Sequence, residues 1–173
     1  MKKLILLSLF CITLISCNEN SKKQTQPKTQ RGLITSKAMV VSARAEASKI
    51  GTDILKKGGN AFDAMMATEM ALAVTYPYAG NLGGGGFMVY RLNDGTFGAL
   101  DYREKAPLAA TKNMYLDEEG NVIKDKSTVG AFAVGVPGTV AGIFAAHEKF
   151  GSLPVTEILQ PVIDLANNVF VIT

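Results

Sequence analysis

Apolar and polar positions recur along this chain with two different periods, and each period predicts an element. Between Glu46 and Lys57, apolar residues fall at Ala47, Ile50, Ile54 and Leu55, which predicts a helix with one covered face. Lys56 and Lys57 suit its C-terminal end, and Gly58 takes the stop position. Asn60, with Asp63 three residues on, predicts a capped start to a second helix. Its core face is expected to be Phe62, Met65, Met66, Met70, Ala73 and Val74, with the methionines filling gaps. Glu69 interrupts that stripe and is expected to face solvent, and Pro77 ends the helix.

The pattern then changes. Gly83-Gly84-Gly85-Gly86 has no β-carbons, so another segment or a ligand can approach its backbone closely. Phe87 to Leu92 is an apolar run that predicts a buried strand, and Asn93-Asp94-Gly95 is a hairpin turn signal. A second strand, Thr96 to Tyr102, delivers Asp101-Tyr102-Arg103-Glu104 to its far end. Upstream, Met39-Val40-Val41 is expected to be a short first strand. Downstream, Pro107 to Lys126 is a polar excursion, and Gly130 to Val136 is strand-like. A third helix opens at Pro137 or Gly138 and runs through Phe150 to the stop at Gly151. Val140, Ile143, Phe144 and His147 are its expected inner or rim face. Thr156 to Asn168 reads as a last helix that Pro161 kinks or restarts. These elements give an α+β fold class.

Composition and charge narrow the function. The net charge of +3 is unevenly spread: residues 1–37 hold seven Lys or Arg against one acidic residue, and the rest holds 11 against 14. The basic excess therefore belongs to the leader, and no basic face favours nucleic acid. Lys2-Lys3 before the apolar stretch Leu4 to Ile15 has the layout of an export signal. At 12 residues that stretch is too short to span a membrane, since a spanning helix needs about 20. It ends in Leu14-Ile15-Ser16-Cys17, which resembles a bacterial lipoprotein signal, in which the cysteine is lipidated. The expected organisation is a signal over 1–17, a polar disordered tether over 18–37, and a folded part over 38–173. The protein is then exported and held at the membrane through its lipid alone, in the periplasm or at the cell surface. With Cys11 removed and Cys17 consumed, no thiol is left for a disulfide; with one histidine, no zinc or iron–sulfur site is expected.

The glycine run is not a nucleotide cradle. A P-loop needs Lys and then Ser or Thr after its last glycine, where Phe87 and Met88 stand. The dinucleotide fingerprint fails because Met88 occupies its third glycine position. No cofactor is expected.

Four stretches, in order, carry a resemblance to a known family. Lys57-Gly58-Gly59-Asn60-Ala61-Phe62-Asp63-Ala64, Asn81-Leu82-Gly83-Gly84-Gly85-Gly86-Phe87-Met88, Asp101-Tyr102-Arg103-Glu104-Lys105-Ala106-Pro107 and Gly135-Val136-Pro137-Gly138-Thr139-Val140-Ala141-Gly142 resemble the gamma-glutamyltranspeptidases. The resemblance runs from about Ala38 onward and covers the front of that family's large subunit. It implies a four-layer αββα sandwich of the N-terminal-nucleophile hydrolase type. It also implies a precursor that cuts itself, freeing a threonine that attacks the γ-glutamyl amide of glutathione-like substrates. The acyl group then passes to water or to an amino acid. That threonine heads the small subunit within a Thr-Thr-His-like stretch. No Thr-Thr pair occurs here, and the only histidine, His147, follows Ala146. The catalytic residues are therefore expected outside this chain, in a C-terminal subunit of the same precursor, and the chain alone is expected to be inactive.

Arg103 is the candidate substrate-binding residue. A guanidinium at a strand end beside a glycine-lined crossing can grip a carboxylate through two parallel hydrogen bonds. The resemblance implies that it holds the α-carboxylate of the γ-glutamyl group. The bland alternative is a surface ion pair with Glu104 or Asp101. Asp101 and Glu104 are otherwise candidates for orienting Arg103. Two rival readings stay open beside the enzyme fragment: a non-catalytic lipoprotein that binds γ-glutamyl compounds or amino acids, and an inactive gene remnant.

Overall fold

The structure is a computed structural model that describes residues 32–168, 170 and 171. The chain divides into two compact units, Met1–Ser36 and Lys37–Thr173, and residues 32–36 of the first contain no helix or strand. The expected signal, Cys17 and most of the tether lie outside the described residues.

Among its described residues the second unit has four helices. Helix α1 spans Ala45–Lys56, α2 Ala61–Thr75, α3 Thr139–Phe150 and α4 Val155–Asn167. Gly51 lets α1 and α2 approach closely, because a β-carbon there would run into the Thr68 hydroxyl and stand 2.9 Å from Val40 Cγ1. Ile54, Ala64, Met66, Ala67, Ile143 and Ile158 close one buried cluster, and Ala47, Ala71 and Val162 close a second.

The capping box at α2 forms as the sequence predicts. The Asn60 side chain accepts from the Phe62 and Asp63 N–H groups, while Asp63 accepts from the Asn60 N–H at 2.9 Å. Asp63 does more than cap. Fully buried, it also accepts from the Ser152 N–H at 3.0 Å and from the Ser152 hydroxyl, and Asn60 donates to Phe150 O at 2.7 Å. The α1–α2 turn is thereby fastened to the α3–α4 turn, about 90 residues away in sequence. His147 completes this corner through Leu153 O at 2.9 Å.

Strands β1 (Phe87–Arg91) and β2 (Phe97–Asp101) pair antiparallel, with Phe87 opposite Asp101 and Arg91 opposite Phe97. The turn carries Gly95 at φ 91°, and Leu92 N–H donates to Thr96 O at 2.7 Å. Met88, Tyr90, Gly98 and Leu100 form the half-buried face of the hairpin. Tyr90 rests against Phe62 and Phe150, its ring centroid 5.8 and 4.8 Å from theirs. The other face, with Phe87, Val89 and Phe97, is exposed.

Several expectations need correction. Met39–Val41 is not a strand; it runs beside the helices without a pairing partner among the described residues. Gly130–Val136 is not a strand either. It contains a 3₁₀ turn at Ala131–Ala133 and a single bridge from Val136 to Lys105. The strand β1 is covered on one face only, not buried. On α2 the fully covered residues are Asp63, Ala64, Met66, Ala67, Thr68, Ala71 and Thr75, while Phe62, Met65, Met70, Ala73 and Val74 are half-buried. Small residues hold the core face because α1, α3 and α4 all press on α2, and small side chains let backbones come close. On α3, Ile143 is buried, but Val140 and Phe144 are exposed. Pro161 sits inside a continuous α4.

Candidate functional site

The glycine run, the end of β2 and the start of α3 meet at one place. Gly86 and Tyr102 extend the β1–β2 pairing by one step: Tyr102 N–H donates to Gly86 O at 3.0 Å and Gly86 N–H to Tyr102 O at 3.4 Å. Two residues earlier, Gly84 O accepts from the Gly138 and Thr139 N–H groups at 2.9 and 3.1 Å. That carbonyl serves as the cap of α3, whose own N-cap residue, Gly138, offers no side chain. The four-glycine run is therefore a bridge between the hairpin and a helix N-terminus.

The approach is close enough to require glycine. A β-carbon on Gly85 would stand 2.7 Å from Arg103 Cα, and one on Gly86 2.8 Å from the Tyr102 ring. From the other side, a β-carbon on Gly142 would enter the Tyr102 ring, and one on Gly138 would enter Tyr102 O. Burial pushes the Tyr102 phenol above its ordinary 10.0, and the Glu69 carboxylate adds to that rise.

Arg103 follows directly. Its backbone N–H donates to Asp101 Oδ1 at 3.0 Å, a local turn that sets where the chain leaves β2. Its guanidinium lies 3.6 Å, through Nε, from Glu104 Oε2 and has its carbon 5.8 Å from the Phe87 ring centre. The side chain is 63% exposed, so this ion pair is loose and solvent-screened. Arg103 and Lys105 line an open slot of about 290 Å³ together with Asp101, Tyr102 and the Gly138 and Gly142 positions of α3. The structure thus brings Asp101, Arg103 and Glu104 together beside the glycine bridge. It holds Asp101 through the backbone of Arg103 and Glu104 through its side chain.

His147 lies elsewhere, at the Asp63 corner, with Nε2 3.6 Å from Asp63 Oδ1. Burial alone would raise the Asp63 carboxyl, but bonds from the Ser152 hydroxyl and from the Asn60, Ser152 and Leu153 N–H groups outweigh it and hold it below 3.8. Glu69 is not the solvent-facing carboxylate its place in the stripe predicts. It is half-buried and lines a groove with Met65 and Val41, and burial pushes its carboxyl above 4.5. Among the described residues, no three His, Cys, Asp or Glu side chains gather as a metal site would need.

Sequence reasoning passed over Tyr102 and the pair Gly138 and Gly142. The four-residue spacing of the two glycines puts both on one face of α3, but what that face meets depends on the hairpin.

Residues 47–173 match the profile of the gamma-glutamyltranspeptidase family. The chain belongs to this family. Over 134 residues it is 58% identical to the glutathione hydrolase proenzyme of Pseudomonas sp. (strain A14), and 50% identical to that of Escherichia coli (strain K12). Each match covers 78% of this chain and 23% of the relative, so the chain spans about a quarter of the length of these curated relatives. The solved structure of Helicobacter pylori gamma-glutamyltranspeptidase superposes with a TM-score of 0.72 at 50% identity, covering 78% of this chain and 38% of that one. The family consists of enzymes, and the mixed helix-and-sheet architecture described above belongs to its fold.

Proposed function

We propose that these 173 residues are the front of the large subunit of a gamma-glutamyl hydrolase or transpeptidase, which cleaves the γ-glutamyl amide of glutathione-like donors. Arg103 holds the donor's α-carboxylate. Asp101 orients it through the backbone, and Glu104 steadies the guanidinium until substrate replaces it. The threonine nucleophile and the donors that stabilise the oxyanion come from a C-terminal subunit of the same precursor. The observation that carries this reading is the placement of Arg103: its backbone is wedged on the glycine bridge, while its side chain stays free enough to turn toward a ligand. A guanidinium fixed at its base and loosely paired at its tip suits exchange of one carboxylate for another.

The exposed face of the hairpin supports the four-layer arrangement. Phe87 and Phe97 are 64% and 80% exposed, and they form the surface on which a second sheet would pack at about 10 Å. The export signal over 1–17, the tether over 18–37 and the lipid on Cys17 belong to the same proposal. They place the enzyme outside the cytoplasm, anchored by its lipid.

Kinetics of the precursor expressed from the gene that encodes this chain test the reading. Replacing Arg103 with Ala is expected to lower kcat/KM for a γ-glutamyl anilide between about tenfold and about ten-thousandfold, the loss of one or two charge-assisted bonds. An unchanged kcat/KM would refute the role of Arg103. A wild-type product that binds glutamate yet turns over no donor would favour the non-catalytic lipoprotein, and one that does neither would favour the gene remnant.

A further inference from the structure

We infer that Tyr102 is a positioning residue for Arg103, held in a vise of four glycines that sets the enzyme's preference for a free α-carboxylate. The inference rests on the proposed role of Arg103 and adds the device that aims it. Gly85 and Gly86 close on residues 102 and 103 from the hairpin side. Gly138 and Gly142 close on Tyr102 from helix α3. Each of the four lacks room for a β-carbon, and the atoms in the way belong to the Tyr102 ring or to the backbone of residues 102–104. The two jaws are tied to each other, since Gly84 O accepts from both Gly138 and Thr139.

The consequence for Arg103 follows from what holds it. Beyond its backbone, the Arg103 side chain has, among the described residues, a loose contact with Glu104 and a distant one with Phe87. Such contacts cannot fix where a long, exposed side chain starts from. The backbone at 102–103 can, because it is gripped from both sides. The Tyr102 ring is the packed body in that grip, and its half-buried setting keeps it there. A shift of about 1 Å at such a base can cost two powers of ten in a reaction that depends on alignment.

The test compares two donors on the matured enzyme from the same gene: the L-γ-glutamyl anilide, and the same anilide with its α-carboxylate converted to an amide. The readout is the ratio of their kcat/KM values, followed alongside thermal denaturation of each variant. Gly142→Ala is expected to lower the ratio by about tenfold or more. Tyr102→Leu, which removes the gripped ring and adds no atoms, is expected to lower it similarly, and Tyr102→Phe to restore it. Should Gly142→Ala fail to fold, Tyr102→Leu decides alone. A ratio that stays at the wild-type value while both donors slow equally would overturn the inference, because a general weakening of the fold does not discriminate between them. If instead Arg103→Ala leaves the ratio unchanged, the arginine assignment itself is wrong, whatever the glycine variants do.

Discussion

The two halves of the folded unit are finished to different degrees. The four helices enclose two buried clusters, their turns are fastened at Asp63, and their core residues are fully covered. The hairpin covers only one of its faces and leaves Phe87, Val89 and Phe97 in water. Length does not explain this, since both halves consist of short elements. The helices find their partners within the described residues, whereas a two-stranded ribbon has an outer face and two edges that need more chain. The candidate site lies on the seam between the halves, where α3 from the closed half grips the last residues of β2 from the open one.

The comparison is broken most strongly from the closed side. Ile54→Ala removes a fully buried side chain of α1 from the cluster it forms with residues of α2, α3 and α4, and is expected to cost about 2–5 kcal/mol in a denaturant titration of this chain. A cost below about 1 kcal/mol would mean that the helical half is not the stable one.

Acid sharpens the contrast at the level of single carboxyls. Asp63 has a folded pKa below 3.8, so its contribution is present above that value and is lost as pH falls through the folded pKa. Glu69 has a folded pKa above 4.5, so its contribution is present below 4.5 and is lost as pH rises through the folded pKa. Denaturation midpoints followed from pH 3 to 7 are expected to show Asp63→Asn removing the acid-side loss. Glu69→Gln should raise stability at neutral pH and not below 4.5. Matching curves for wild type and both variants would remove the structural meaning given to these carboxyls.

The smallest effect is expected on the open face. Val89→Thr in this chain alters a side chain that is 83% exposed, and is expected to change stability by no more than about 0.5 kcal/mol. The same substitution should cost more in the matured enzyme, where the proposal places a second sheet over Val89. Equal, small effects in both would argue that nothing packs there.

Much of the fold was legible in local letters. The α2 cap needed only Asn60 and Asp63, the hairpin only Asn93-Asp94-Gly95 between two apolar runs, and α3 only Pro137-Gly138 and Gly151. Each is decided by neighbours within about four residues, which is the reach of capping and turn chemistry. The two strand misreadings share one cause. Met39–Val41 and Gly130–Val136 have strand-like composition, but a strand exists only where another pairs with it, and β-propensity describes fit to a neighbour more than a property of the segment. The expected core face of α2 held at Met66, with Met70 and Val74 packed at its margin, but it missed the small residues Ala64, Ala67 and Ala71, on which three helices converge.

The sequence by itself determined where helices start and stop, where the chain turns, and which arginine stands at a strand end beside four glycines. These follow from short-range sterics and hydrogen bonding. Only the tertiary structure decided why those glycines are glycines. The contacts that forbid a β-carbon at Gly85, Gly86, Gly138 and Gly142 come from Tyr102 and its neighbours, up to 40 residues away in sequence, and close packing at that distance exists only once the hairpin has folded against α3.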